Sequence, residues 1–236
     1  MTMQFRWVFF DADGTLLDFR RAETSALRTA PASLSLDVPN TFQTTYHRIN
    51  ENLWRAFESG ELKAHDVRER RFRLVLDTLG IDADPDVLSE TFLKHLVCES
   101  RMMNGARSLL AALHGTVGLV LLTNGFADVQ RARLRKLNLD DTFDHVLISE
   151  EVGIAKPARA IFDLAFEKIG AISKRETLVV GDSLSSDIRG GVDYGIETCW
   201  FNPEGEANST GIVPTYEIAH LDELLPILEL DRHFDG

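Results

Sequence analysis

The first regular feature of the chain is a four-residue apolar run, Trp7-Val8-Phe9-Phe10, which breaks into Asp11-Ala12-Asp13-Gly14-Thr15-Leu16-Leu17-Asp18. An apolar run of this length predicts a strand buried on both faces. From Phe19 to about Met102 the pattern changes to helical spacing. Phe42, Tyr46, Ile49, Leu53 and Phe57 step by three and four and mark one helix face. Phe72, Val75, Leu76 and Leu79 mark a second helix, which Gly80 ends. Leu88, Phe92, Leu93 and Leu96 mark a third. The breaks fall at Pro31 to Pro39, at Ser59-Gly60 and at Gly80 to Pro85.

From Asn104 onward strands and helices alternate. Helices are predicted over residues 105–113, 129–137, 161–169, 185–194 and 221–228, and strands over 117–122, 145–148, 177–180, 196–201 and 216–218. In the helix over 129–137, Arg131, Arg133, Arg135 and Lys136 are expected to face solvent; the tail from Asp231 to Gly236 is expected to fray. Alternation of this kind predicts an α/β fold, a parallel sheet covered by helices on both faces. The core is expected over residues 1–18 and 103–236, with an all-helical insertion over 19–102.

Composition narrows the functional classes. The 236 residues are 44% hydrophobic and 26% charged, which suits one globular domain or a domain with an insertion. A net charge of −12 argues against nucleic acid or an anionic membrane as partner. A small anionic substrate stays compatible, provided a metal and a few cations act locally. Cys98 and Cys199 stand far apart with no CxxC, which excludes a disulfide framework and a zinc site and fits a reducing cytosol. The N-terminus has no long apolar segment of the signal-peptide kind, and the apolar stretch over 117–122 is too short to span a bilayer. The expected location is cytoplasmic.

Four polar clusters follow predicted strands or open predicted helices, and in a parallel sheet the carboxyl ends of the strands share one edge. Asp11 and Asp13 close the first strand; two carboxylates this near each other call for a metal ion or a shared proton. Thr123-Asn124-Gly125 offers a hydroxyl, an amide and backbone N–H groups at a helix mouth, which serves either anion binding or ordinary capping. Lys156, in Gly153-Ile154-Ala155-Lys156-Pro157, lies on a loop held extended by the proline. Asp182 and Asp187, in Gly181-Asp182-Ser183-Leu184-Ser185-Ser186-Asp187, end a strand and open a helix. Hard carboxylate oxygens suit Mg²⁺ better than zinc. In the helical block, Phe42, Tyr46, Trp54, Phe57 and Phe72 read as core that could also line a substrate pocket. The run Arg68-Glu69-Arg70-Arg71-Phe72-Arg73 reads mainly as a solvated face from which one Arg could reach substrate.

These four clusters, in this order, resemble the haloacid dehalogenase (HAD) superfamily of phosphohydrolases, and the resemblance spans the whole chain. It implies a HAD-like Rossmannoid sheet with an inserted all-helical C1-type cap. Asp11-Ala12-Asp13-Gly14-Thr15, Leu122-Thr123-Asn124-Gly125-Phe126, Ile148-Ser149-Glu150-Glu151-Val152-Gly153, Gly181-Asp182 to Asp187-Ile188, Cys199-Trp200 and Pro214-Thr215-Tyr216 further resemble the YjjG-type noncanonical pyrimidine 5′-nucleotidases. The N-acylneuraminate-9-phosphatase branch has similar core motifs.

The resemblance implies a role for each matching position. Asp11 would be the nucleophile and form an aspartyl-phosphate. Asp13 would be the general acid and base. Thr123, Asn124 and Lys156 would bind the substrate phosphate. Mg²⁺ would be held by Asp11, the backbone carbonyl of Asp13 and Asp182, with Asp187 acting through water or orienting Lys156. Dehalogenases of the superfamily lack an acidic residue two positions after the nucleophile, so Asp13 favours phosphoryl transfer; phosphomutases keep it. The expected activity is hydrolysis of a small phosphorylated metabolite by a monomer or homodimer, with a pyrimidine nucleoside 5′-monophosphate as substrate. The alternatives are an N-acylneuraminate-9-phosphate or other sugar phosphate, a phosphomutase, and a catalytically idle phospholigand binder.

Overall fold

The computed structural model describes residues 4–170 and 172–229, so the tail expected to fray lies outside the described residues. In chain order the elements are β1 (Trp7–Phe10), α1 (Phe19–Ser33), α2 (Phe42–Glu58), α3 (Ala64–Leu79), α4 (Pro85–Glu99), α5 (Ala106–Leu113), β2 (Gly118–Thr123) and α6 (Ala127–Lys136). They continue with β3 (His145–Ile148), α7 (Ser149–Val152), α8 (Arg159–Ile169), β4 (Thr177–Gly181), a π-helical turn (Leu184–Ile188), α9 (Arg189–Tyr194), β5 (Glu197–Phe201), β6 (Tyr216–Ile218) and α10 (Leu224–Ile227). Two compact units emerge. One takes Met1–Asp18, Met102–Asn124 and Asn138–Gly236 over their described residues; the other takes Phe19–Arg101 and Gly125–Leu137.

The first unit is built on a six-stranded sheet in the order β3-β2-β1-β4-β5-β6. Every neighbouring pair is parallel, as the alternation of elements predicts. β1 sits between β2 and β4, with Phe10 opposite Leu121 on one side and Val180 on the other. Val8, Phe9 and Phe10 are fully buried, which is why the strand reads as an unbroken apolar run. On one face Phe9, Val120, Leu122 and Val179 pack with Ile161, Phe162 and Ala165 of α8. Burying a side chain of this size contributes about 1.5–3 kcal/mol. The consequence for function is positional: β2, β1 and β4 are adjacent, and their carboxyl ends carry Thr123, Asp11 and Asp182.

The second unit is all-helical. The buried face of α2 is Phe42, Tyr46, Ile49, Leu53 and Phe57, the stripe read from the spacing. In α4, Leu88, Phe92, Leu93 and Leu96 are buried, and Asp84 caps the helix by accepting from the N–H groups of Asp86 (2.9 Å) and Val87 (3.2 Å). α3 stops at Gly80, whose φ of 64° is left-handed.

Three sequence readings are corrected in this unit. Helix α6 was expected in the α/β core, yet it packs against α4. Its Lys136 ammonium donates to the carbonyls of Cys98 and Ser100, the latter at 3.1 Å, where α4 leaves carbonyls without helical partners. Arg133 was expected at the surface and is 1% exposed. Its Nε donates to the Ser100 hydroxyl at 2.9 Å and its Nη1 to Gln130 Oε1 at 3.1 Å, so hydrogen bonds replace the lost water. Arg71, expected within a solvated run, lies on the buried face of α3 with Val67 and Val75. Its four-residue spacing from both puts it on their stripe.

Candidate active site

The chain reaches Asp11 still in register with the sheet, because the Asp11 N–H donates to the carbonyl of Val180 at 2.9 Å. It then turns: the N–H groups of Leu16 and Leu17 both donate to the Ala12 carbonyl, at 3.0 and 2.8 Å. Gly14 makes the turn with φ of 83°, and a β-carbon there would stand 2.1 Å from Asp182 Oδ2. Only glycine meets both demands. Asp182 is thus laid against the β1 loop from the end of β4, and Thr15 places its hydroxyl 3.5 Å from Asp182 Oδ1. Trp200 on β5 steadies the segment by donating from its indole nitrogen to the Asp182 carbonyl at 2.8 Å.

Asp187 is delivered differently. The helix expected over 185–194 opens as a π-helical turn, a form that recurs at functional sites. The Ser183 hydroxyl accepts from the Ser186 N–H at 3.2 Å, and the Ser183 N–H donates to Asp187 Oδ2 at 3.1 Å. A β-carbon at Gly181 would meet Asp187 Oδ2 at 2.2 Å. The carboxylate therefore folds back over the end of β4, and this position requires glycine.

Lys156 joins the two carboxylates. Its ammonium donates to Asp11 Oδ1 and to Asp187 Oδ1, each at 2.6 Å, and the side chain is 1% exposed. Burial alone would lower its pKa; the charges and hydrogen bonds of Asp11 and Asp187 outweigh that and hold it above its ordinary value. It remains an ammonium. Asn124 fixes the lysine's main chain, accepting from the Lys156 N–H at 2.9 Å and donating to the Lys156 carbonyl at 3.0 Å. The amide expected to face a phosphate is thus engaged in positioning Lys156. Thr123 is fully buried at the end of β2, and Asp13 is half-buried in the β1 loop.

Asp11, Asp182 and Asp187 each present a carboxylate oxygen, all within 4.8 Å of one another. Against these three carboxylates Lys156 supplies one positive charge. Burial, opposed by Lys156 and reinforced by Asp187, pushes Asp11 up to about 7. Asp182 keeps solvent on part of its surface, yet its carboxyl is also driven well above its usual range, first by loss of hydration and then by Asp11 and Asp187. A hard divalent cation would relieve this excess of negative charge, and the oxygen-only donor set fits Mg²⁺.

A family model described as haloacid dehalogenase-like hydrolase matches residues 5–195, the stretch that contains every one of these groups. The chain belongs to this family. Its HAD-hydrolase relative YfnB of Bacillus subtilis is 37% identical over 229 residues, covering 97% of each chain. A crystal structure of YfnB, described as bound to magnesium and as revealing interdomain movement, superposes with a TM-score of 0.87 over 96% of this chain and 100% of that one. The pyrimidine 5′-nucleotidase YjjG of Escherichia coli is 36% identical, covering 96% of this chain and 99% of its own. The pyrimidine 5′-nucleotidase PynA of Streptococcus pneumoniae is 32% identical, covering 96% of each. As a HAD-like hydrolase, the chain is an enzyme with an α/β fold. No helix among the described residues is long and apolar enough to cross a membrane.

Three residues, all within motifs named in the sequence, have roles that only the structure reveals. Trp200 holds Asp182 from the neighbouring strand, and Gly181 leaves the space at the end of its own strand into which Asp187 folds back. Asn124 carried the right residue type, but its partner Lys156 lies in another loop, so the pairing had no local signal.

Proposed function

We propose that this hydrolase cleaves phosphomonoesters in a Mg²⁺-dependent reaction through an aspartyl-phosphate on Asp11, and that its substrates are pyrimidine nucleoside 5′-monophosphates. The observation that carries the chemistry is the placement of Asp11: buried at a strand end, 2.6 Å from the Lys156 ammonium and clustered with Asp182 and Asp187. The substrate class rests on the likeness to YjjG and PynA along nearly the full length of this chain.

Asp11, Asp182 and Asp187 would hold the cation, directly or through water, together with the Asp13 carbonyl. When bound, the ion neutralises charge so that an anionic nucleophile can approach an anionic phosphoryl group. An Asp11 carboxylate oxygen attacks phosphorus. The bond from phosphorus to the ester oxygen breaks, and that oxygen takes the Asp13 proton. Asp13, now a carboxylate, removes a proton from the water that attacks the aspartyl-phosphate. The phosphorus bond to Asp11 breaks, inorganic phosphate leaves, and Asp13 is again protonated. Thr123 and Lys156 face the charge that spreads over the phosphoryl oxygens, and Asn124 keeps Lys156 in place. Residues 19–102 are proposed as the cap insertion, and α6 packs with them.

Phosphate release is the test, with thymidylate, uridylate, adenylate, an acylneuraminate 9-phosphate and glucose phosphates as substrates, Mg²⁺ present and Asp11→Asn as control. The pyrimidine monophosphates should be turned over best, and Asp11→Asn should be inert. Preference for a sugar phosphate would keep the chemistry and discard the substrate class. A folded protein inactive on every compound would discard both.

A further inference from the structure

One peptide group, the link between Asp182 and Ser183, ties two members of the acidic cluster together. Its N–H, on Ser183, donates to Asp187 Oδ2 at 3.1 Å. Its carbonyl, on Asp182, accepts from the Trp200 indole nitrogen at 2.8 Å. A peptide group is a rigid plane, so a hold on its oxygen is also a hold on its N–H. The last pair of the β4–β5 ladder is Gly181 with Trp200. The indole therefore adds one further bond, from a side chain, just past the point where the main-chain pairing ends.

The same ring also touches the segment that carries Asp187. Trp200 is 4% exposed and packs with Ile188, Ile212 and Leu184. Leu184 and Ile188 are the two ends of the π-helical turn, and Asp187 lies between them. Ile212 comes from the β5–β6 connection; over residues 203–213 it is the buried residue in an otherwise exposed run. Asn208 secures it there, donating from its side-chain amide to the Ile212 carbonyl at 2.6 Å. An indole N–H enclosed by apolar side chains needs an acceptor, and the Asp182 carbonyl is the one it has. Any rotation of the peptide would leave that buried donor unpaired.

The bond matters because of what it opposes. Asp11, Asp182 and Asp187 crowd their oxygens within 4.8 Å, and like charges this close drive one another apart. A peptide pinned at both ends keeps Asp182 and Asp187 converged before a cation arrives, and preorganisation of this kind raises affinity. We propose that Trp200 is a positioning residue for Mg²⁺: by fixing the peptide between Asp182 and Ser183, it sets the affinity of the carboxylate cluster for the ion. This rests on the Mg²⁺-dependent reading above and adds to it a residue outside the cluster.

The test measures Mg²⁺ binding by titration calorimetry, with thermal melting alongside, in wild type, Trp200→Phe, Trp200→Leu and Ile212→Ala. Trp200→Phe keeps an aromatic ring and removes the N–H. Its Kd for Mg²⁺ should rise ~10-fold, the loss expected when a buried hydrogen bond disappears and its acceptor is left unpaired. Trp200→Leu should match it. Phosphate release from thymidylate and from p-nitrophenyl phosphate should both need correspondingly more Mg²⁺ for half-maximal rate. Ile212→Ala removes packing from the same ring and keeps the N–H, so it should lower Tm and leave the Kd near that of wild type. In wild type itself, the indole N–H NMR signal of Trp200 should move as Mg²⁺ is added. A signal that stays in place overturns the inference without need of a variant. So does an unchanged Kd in whichever Trp200 variant melts cooperatively, or a rise in Ile212→Ala equal to that in Trp200→Phe. If wild type binds no Mg²⁺, the metal-dependent reading fails and this inference with it. If wild type binds the ion and Trp200→Phe binds it equally well, only the role of Trp200 fails.

Discussion

Asn124 holds the main chain of Lys156 from both sides, with its amide oxygen 2.9 Å from the Lys156 nitrogen and its amide nitrogen 3.0 Å from the Lys156 oxygen. The ammonium that bridges Asp11 and Asp187 therefore depends on a residue at the end of a different strand. Asn124→Leu should leave the fold intact and lower kcat at saturating Mg²⁺ by ~10-fold, the equivalent of about 1.4 kcal/mol of lost positioning. Steady-state phosphate release measures it, and a kcat equal to wild type would remove Asn124 from this role.

Gly14→Ala combines two penalties. Its φ of 83° is unfavourable for alanine, and the new β-carbon would stand 2.1 Å from Asp182 Oδ2. Substitutions at such positions destabilise by more than ~1 kcal/mol. The carboxylate must also shift, so the Mg²⁺ concentration for half-maximal activity should rise. Thermal melting and an Mg²⁺ titration separate the two effects; an unchanged titration would show that Asp182 does not serve the metal.

Asp13→Asn keeps the size of the side chain and removes its proton chemistry. The rate should fall at least ~10²-fold. The loss should be smaller for p-nitrophenyl phosphate, whose leaving oxygen needs less protonation. Equal losses on the two substrates would place Asp13 outside the protonation step.

Metal removal should act on stability as well as turnover. In the metal-free protein Asp11 is pushed up to about 7, against ~3.9 in an unfolded chain. A folded pKa above the unfolded one means the fold gains from the proton. That contribution is complete below the unfolded value and is lost as pH rises through about 7. Asp182, also raised, acts in the same direction. With EDTA present, Tm should lose this contribution between about pH 4 and about pH 7, and Mg²⁺ should raise Tm most at the higher pH. A metal-free Tm that climbs over this interval would contradict the assignment. Phosphate release should stop with EDTA and return with Mg²⁺.

Much of this was legible in the sequence because burial leaves a periodic trace. The α2 stripe from Phe42 to Phe57 and the unbroken run of β1 announce their environments through apolar side chains alone. Asp11 and Asp182 were legible because each directly follows an apolar strand. Arg71 and Arg133 were not, since a charged residue on a buried stripe looks like a gap in it. What places them inside is three-dimensional: aromatic rings around one, Ser100 and Gln130 around the other. The boundary at Gly125 was hidden for a related reason. Helix α6 follows a sheet strand in the chain, and only its packing on α4 assigns it to the helical unit.

The sheet order has a consequence for how the enzyme fails under stress. The strands that end in Thr123, Asp11 and Asp182 are β2, β1 and β4, and β3 and β6 lie at the two borders. Border strands open first in local fluctuations, whereas interior strands exchange their amide hydrogens only when the whole unit opens. Amides of β6 should exchange early while those of Phe9, Phe10 and Val180 stay protected. Activity should therefore persist through partial fraying and vanish together with the last protected amides.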